Sequence, residues 1–212
     1  MRARTNTCST IGFLGVLGLV TAVTSLAPGR LQAQELPPDS RMRLGLTLVP
    51  MPFGSLTLAS TIYPGVSVSG SVDAKVAFGI MPSFDYLLTR YFFVGVAPQL
   101  TFDVKPQNAT GDAARELDLL IRLGANAPIA DTIQLYGYIA PGYSVVMLPH
   151  LDDGTGFCLG FHGGAMFDLT PKAYLAAELG YQFGYQSTSI LGQSVDTKTN
   201  YFHLGLGAGV HL

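Results

Sequence analysis

The last twelve residues, YFHLGLGAGVHL, alternate without a break: Phe202, Leu204, Leu206, Ala208, Val210 and Leu212 against His203, Gly205, Gly207, Gly209 and His211. Successive side chains of a strand leave on opposite faces, so this segment has one apolar face and one small or polar face. A soluble barrel would bury the apolar face, whereas a membrane barrel turns it outward. The pattern recurs along the chain in eight segments, near 41–50, 74–86, 92–104, 117–127, 133–145, 157–167, 173–185 and the closing 201–212. In the second, Val76, Phe78, Ile80 and Phe84 oppose Ala77, Gly79, Ser83 and Asp85. In the fourth, Leu119, Ile121 and Leu123 oppose Asp118, Arg122, Gly124 and Asn126; in the seventh, Leu175, Ala177, Leu179, Tyr181 and Phe183 oppose Ala176, Glu178, Gly180 and Gln182. Each segment has a face free of charge and approximates the roughly 9–11 residues a tilted strand needs to cross a bilayer.

Composition separates the two barrels. Only 12% of residues are charged and 48% are apolar, against about 25% charged in a typical soluble domain. Yet no internal run approaches the roughly 20 apolar residues of a spanning helix, so the apolar content is distributed as in a membrane-embedded sheet. The one continuous run stands at the start, where Arg2 and Arg4 precede IGFLGVLGLVTAVTSLA (Ile11 to Ala27) and then Leu31-Gln32-Ala33. A basic region, an apolar region and a small residue at the cleavage point make residues 1–33 a secretory signal peptide, cut after Ala33. Cys8 lies before the apolar region, where a lipoprotein cysteine would follow it, which argues against lipidation. Residues 34–40 read as a polar, Pro-containing periplasmic lead-in and 41–212 as the barrel. Export removes three of the 12 basic side chains and none of the 14 acidic ones, leaving 9 against 14, a formal charge of −5 that argues against nucleic acid as a partner. Cys158 is then the only cysteine, so no intramolecular disulfide can form.

The stretches SFDYLLTRYFFVGVAPQ, ANAPIADTIQLYGYIAPG and AMFDLTPKAYLAAELGYQ each place a tight polar turn between two strands, recurring about every 40–45 residues, one hairpin per repeat. Longer polar connections alternate with them: KPQNATGDAARE, MLPHLDDGTG and STSILGQSVDTKTN. Short turns at one end and long loops at the other match the periplasmic and extracellular ends of an outer-membrane barrel. The first connection, roughly Met51 to Asp73, keeps the apolar phase through Leu56, Leu58, Val66, Val68 and Val72. It is either a hairpin projecting well beyond the membrane or an extra pair of strands. Aromatics gather at strand ends: Phe84, Tyr86, Tyr91, Phe92, Phe167 and Tyr174 beside the short turns, and Phe102, Tyr143, Phe183, Tyr185, Tyr201 and Phe202 near the long loops. Two such girdles mark the two membrane interfaces.

The leader, the eight alternating segments, the repeated short turns and the closing YFHLGLGAGVHL together resemble the small outer-membrane β-barrel family of Gram-negative bacteria, typified by the OmpA transmembrane domain and OmpX. The resemblance implies an all-β, antiparallel up-and-down transmembrane barrel of eight strands in the cell outer membrane. It also implies outer-membrane lipid and the barrel-assembly machinery as partners, with an extracellular ligand or surface met through the loops. Members usually end on an aromatic residue read by that machinery, and this chain ends on Leu212, which bears on insertion efficiency. The peptidoglycan-binding module of longer relatives has no counterpart after the barrel.

With the apolar faces toward lipid, the inward set includes Arg43, Gln99, Asp118, Arg122, Tyr136, Tyr138, His162, Glu178, Gln182 and His203. Side chains just fill an eight-stranded barrel, and charges held from water must be paired. Counting from the turns puts Arg122, His162 and Glu178 at similar depth. The expectation is an Arg122–Glu178 ion pair with His162 beside it, set in a polar network with Arg43, Gln99 and Gln182. Three functions compete: a structural or surface-interaction barrel with a plugged interior, placed first; a narrow channel for small solutes or apolar compounds, with Gly205, Gly207 and Gly209 leaving inner space; and a lipid-modifying enzyme, placed last. The third needs a His with a Ser or acid partner at the lipid face, whereas His162 faces inward and is followed by Gly163 and Gly164. The rival fold is a soluble lipocalin-like barrel, which would expose Arg122, Glu178 and Gln182 and bury Leu119, Leu179 and Phe183. Leu151-Asp-Asp-Gly-Thr-Gly156 has two carboxylates suited to Ca²⁺ but reads first as a turn, and Asn108-Ala-Thr matches a glycosylation acceptor that carries little weight in a bacterial chain. No catalytic residue, cofactor site, metal cluster or phosphate loop is expected.

Overall fold

A computed structural model of the chain describes residues 41–63, 66–149, 152–190 and 193–212. The expected leader (1–33) and lead-in (34–40) lie outside the described residues. Ten strands follow in chain order: β1 (Met42–Met51), β2 (Phe53–Tyr63), β3 (Val66–Asp73), β4 (Ala77–Leu87), β5 (Phe92–Val104), β6 (Ala114–Ala130), β7 (Ile133–Met147), β8 (Gly154–Thr170), β9 (Ala173–Ile190) and β10 (Gln193–His211). All neighbours are antiparallel, and β1, β4, β5, β6, β7, β8, β9 and β10 form a ring that closes through the pairing of β10 with β1. This is the up-and-down barrel of eight strands that the alternation implied. Closure leaves no open edge within the ring, the condition for a sheet surrounded by lipid.

The first connection is a projecting hairpin on the same ladder. The β1·β4 pairing ends at Met51↔Ala77, and four residues further along each chain Ser55 pairs with Asp73. Pro52 lacks the N–H a ladder needs, which divides β1 from β2 without changing the path. The β1·β10 pairing likewise gives way to β2·β10, from Phe53↔Phe202 to Ser60↔Val195. A four-stranded sheet, β9-β10-β2-β3, therefore rises above the ring at the long-loop end. Its base is tied to the β5–β6 loop by Lys75 N–H donating to Lys105 O (2.9 Å) and Gln107 N–H to Asp73 O (2.9 Å).

Orientation follows the apolar period. Leu44, Leu46, Leu48, Leu206 and Val210 are on the outside, with Leu206 66% exposed, while Arg43 and His203 are buried. Leu119, Leu179 and Phe183 face out and Arg122, Glu178 and Gln182 face in, the reverse of a lipocalin-like barrel. Outward Phe84, Tyr86, Phe92 and Phe167 encircle the short-turn end, and Tyr143, Tyr181, Phe183 and Tyr185 the other. Two girdle assignments are corrected: Tyr174 and Tyr201 are buried inside. Tyr174 shares its phase with Glu178 and Tyr201 with His203, so the parity that turns those polar groups inward takes the rings with them.

Inside, large and small residues alternate around the ring. The row Asp85↔Gly95↔Arg122 crosses β4, β5 and β6, and a Cβ at Gly95 would land on Asp85 Oδ1. The row Gly164↔Glu178↔Gly205 crosses β8, β9 and β10, giving the Glu178 side chain its space. Gly209 and Gly45 receive the Tyr174 ring and hydroxyl. The glycines that alternate along β10 are therefore sockets for side chains of the neighbouring strands rather than a clear bore.

Candidate functional site

The interior divides into two storeys. The lower, toward the short turns, is built from all eight strands of the ring. Arg122 Nη1 donates to both oxygens of Asp85 at 2.9 Å, with both side chains buried. Its guanidinium lies over the Tyr138 ring (4.2 Å to the centroid) and beside Phe93 (5.5 Å), while Arg43 covers Phe93 at 5.0 Å. Arg43 also donates to Asn126 Oδ1 at 3.4 Å. Glu178 accepts from the hydroxyls of Tyr136 (3.0 Å) and Tyr138 (3.2 Å). His162 Nδ1 stands 3.7 Å from Glu178 Oε1, its ring stacked on Tyr138 with centroids 4.6 Å apart and tilted against His203 at 5.3 Å.

The expected Arg122–Glu178 pair is thus corrected. Arg122 takes Asp85 as its ion-pair partner, because the two share a row with only Gly95 between them. Glu178 is held by Tyr136, Tyr138 and His162 instead. Arg43 belongs to this storey, whereas Gln99 and Gln182 lie in the upper one. The sequence had set Asp85 on the polar face of its strand, but only the stagger between strands brings it opposite Arg122.

The upper storey carries acids and amides. Gln182 Nε2 donates to Asp118 Oδ2 at 2.5 Å, and Gln99 Nε2 donates to Gln182 Oε1 at 3.3 Å. Gln186 Nε2 donates to Glu116 Oε1 and to Ser144 Oγ, each at 2.9 Å, and Ser144 Oγ donates to Glu116 Oε1 at 3.0 Å. Glu116 is absent from the sequence-level site because its strand was expected to start at 117. The structure starts β6 at Ala114, and Glu116 has the inward parity of Asp118 and Arg122. Cys158, a free thiol, is buried at this level.

These groups leave little space. A cavity of the lower storey, between Arg43, Asp85, Arg122, Tyr174 and Glu178, is about 20 Å³, room for about one water. Below it a mouth of about 740 Å³ opens at the short turns, where Asp168 bonds His211 Nε2 (2.9 Å) and Gln134 Nε2 (3.2 Å). His162 is enclosed, away from the lipid face where a lipid-modifying barrel needs it. Among the described residues no three His, Cys, Asp or Glu side chains gather as a metal cluster. Asp152 and Asp153 are exposed, and the Asp152 carbonyl accepts from Thr188 Oγ1 at 2.8 Å.

The outer membrane protein beta-barrel domain model matches residues 19–208. The fold is similar to that of Neisserial surface protein A (NspA), with 14% identity and a TM-score of 0.53 over 82% of this chain and 98% of that one. The outer membrane protein OprG from Pseudomonas aeruginosa is 16% identical, with a TM-score of 0.49 over 81% of this chain and 95% of that one. No curated protein matches by sequence.

Proposed function

Because the chain belongs to the outer membrane protein beta-barrel domain family, we propose that it is a closed barrel whose ring serves as an anchor and whose projecting sheet meets partners at the cell surface. The protein resides in the outer membrane, with lipid around the ring. One observation carries the reading: side chains bridge the bore in both storeys while the ladder continues past the apolar band as β9-β10-β2-β3. An Arg–Asp pair, tyrosines and amides set across the bore oppose the passage of a solute, and paired strands beyond the bilayer have no purpose in spanning it.

The projecting sheet has a hydroxyl-rich surface, with Asp73, Asp196 and Lys198 as charged groups among the hydroxyls. Thr57 Oγ1 donates to Ser71 Oγ (3.1 Å), Ser187 and Ser194 share a bond of 2.9 Å, and Asn200 Nδ2 donates to Ser55 Oγ (3.2 Å). Such cross-strand pairs hold the sheet in shape, so it offers a polar partner a rigid surface at small ordering cost. In this reading the protein is not an enzyme, its lower mouth faces the periplasm, and the assembly machinery inserts it after export of residues 34–212.

The test joins two measurements. Planar-bilayer recording of the folded protein should show no steady current; a reproducible single-channel current would turn the reading toward the narrow pore. Replacing Ser55–Val72 by a two-residue turn should leave a heat-modifiable barrel on gels but abolish adherence or aggregation of an expressing strain. Unchanged adherence in that variant would remove the projecting sheet as the contact surface.

A further inference from the structure

The projecting sheet ends on a bare edge. Among the described residues β3 pairs as a strand on one side only, with β2, and it is the last strand of β9-β10-β2-β3. The phase of its hydrogen bonds is fixed at its base. Ala74 N–H donates to Gly54 O on the β2 side (3.0 Å), whereas Asp73 O accepts from Gln107 N–H and Lys75 N–H donates to Lys105 O on the other. Backbone groups along a strand turn alternately to its two sides, so even-numbered residues of β3 serve β2 and odd-numbered ones point away from it. The N–H and C=O groups of Ser67, Ser69 and Ser71 therefore form a row with no strand opposite.

That edge accepts a strand. The β5–β6 loop adds one antiparallel bridge to it, Ala74↔Pro106, then leaves through a turn in which Ala109 N–H donates to Pro106 O (3.1 Å). Exposed edges are ordinarily guarded by charge, proline or a bulge, and residues 67–71, Ser-Val-Ser-Gly-Ser, have none of these.

The row is complementary to itself. Antiparallel pairing centred on Ser69 sets it against Ser69 of a second copy, and Ser67 against Ser71 in both directions. Every outward donor then meets an acceptor, and no charge meets a like charge. Such a contact is two-fold and isologous. An axis along the membrane normal would leave the two edges running the same way, so edges running oppositely belong to copies that face each other from opposed membranes. Taking the projecting sheet as the contact surface, on which this rests, we propose that β3 docks edge to edge on β3 of a second copy in a facing outer membrane. Two four-stranded sheets become one. A single contact of this length is weak, and many copies on two apposed surfaces supply the strength through avidity.

The test mixes cells of one strain in two fluorescent colours and reads clusters by microscopy, with heat-modifiable mobility of each outer-membrane fraction verifying a folded barrel. Cells expressing the wild type should cluster with one another and leave non-expressing cells out. Ser69→Pro removes an N–H that points away from β2, so the hairpin keeps its ladder, and clustering should be lost. Ser69→Lys and Ser69→Glu each set like charges opposite one another across the two-fold axis. Each alone should lose clustering, and the two mixed should form two-colour clusters. Leu58→Glu, at an exposed position of β2 with strands on both sides, should cluster as wild type and should not recruit Ser69→Lys cells. Recruitment of non-expressing cells, or a Lys/Glu mixture that stays dispersed, would overturn the second copy as partner. Clustering lost with the Ser55–Val72 replacement but unchanged in the Ser69 variants would overturn the edge pairing alone and leave the projecting sheet as the contact surface. Clustering that survives the replacement would count against both.

Discussion

Two ion pairs of the same kind stand at two heights of the molecule. Arg122 and Asp85 meet at 2.9 Å inside the ring, with side chains 7% and 5% exposed; Lys75 and Asp103 meet at 2.7 Å at the base of the projecting hairpin, 46% and 32% exposed. The exposed pair is the shorter, yet distance does not rank them. Water around Lys75 and Asp103 replaces almost everything the pair supplies, so such contacts are worth about 0–1 kcal/mol. Inside the ring the space beside the pair admits about one water, too little to solvate an ion, so removing one member strands a buried charge. The ring therefore depends on complete pairing, while the projecting sheet tolerates change, and a surface that must vary its contacts is best placed where variation is cheap.

The largest effect should come from breaking the buried pair on one side only. Arg122→Ala leaves Asp85 buried and unpaired and should cost about 3–5 kcal/mol, read as a lower urea midpoint for loss of the fast-migrating folded band. The double variant Arg122→Met/Asp85→Leu should recover most of that loss, since an apolar pair needs no partner. Arg122→Lys should recover less, because the planar guanidinium also covers Tyr138 and Phe93. If Arg122→Ala matched wild type, the interior would be wetter than its side chains indicate and the contrast between the two pairs would fail.

How far the sequence disclosed these regions depends on the kind of information each needs. Alternation fixes which way a side chain points, so the inward set Arg43, Gln99, Asp118, Arg122, Glu178, Gln182 and His203 is legible, as are the outward leucines. Parity applied to the end would also have turned Tyr174 and Tyr201 inward; the expectation of aromatic girdles overrode it. Pairing across the bore is a different matter. It depends on the stagger between strands, which no single segment encodes, and so Arg122 was matched to Glu178 when Gly95 places it beside Asp85. Boundaries failed for a third reason. The ladders of β6, β9 and β10 continue past the apolar band into polar sequence, where loss of hydrophobic period looks like a loop, hiding Glu116 and the share of β9 and β10 in the projecting sheet, although the hairpin itself was one of the two readings of the first connection.

A smaller effect sharpens the same contrast with glycines. A Cβ at Gly95 would strike the Asp85 carboxylate, whereas a Cβ at Gly70, in β3 of the projecting sheet, meets nothing within 4 Å. Gly95→Ala should therefore cost about 1–3 kcal/mol through displacement of the pair. Gly70→Ala should stay within about ±0.5 kcal/mol, as surface substitutions do, with any gain coming from a stiffer unfolded chain. Urea midpoints of the two variants side by side measure this, and equal losses would mean that the hairpin is as tightly constrained as the ring.

The smallest effect belongs to Asp103, whose carboxyl is held below the ordinary carboxylate range, first by its hydrogen bond from Lys75 and further by Lys105. A depressed value means that the folded state favours the ionised form, so the contribution is complete above the ordinary range and disappears as the pH falls through the lowered value. Asp103 has a φ of 63°, a left-handed conformation that asparagine also accepts, so Asp103→Asn removes the charge without a backbone penalty. At neutral pH and physiological salt the variant should unfold with wild type, since the ring sets the global transition. The difference should appear locally and at low ionic strength, where screening is weakest. As wild type is acidified through the lowered Asp103 value, the Lys75 amide, bonded to Lys105 O, should lose protection from hydrogen exchange beyond the chemical pH dependence; in Asp103→Asn that extra loss should be absent. An identical acid response in the two proteins would detach the pair from the hairpin's anchorage, and a fall in the global midpoint of the variant would place this exposed contact on the same footing as Arg122 and Asp85.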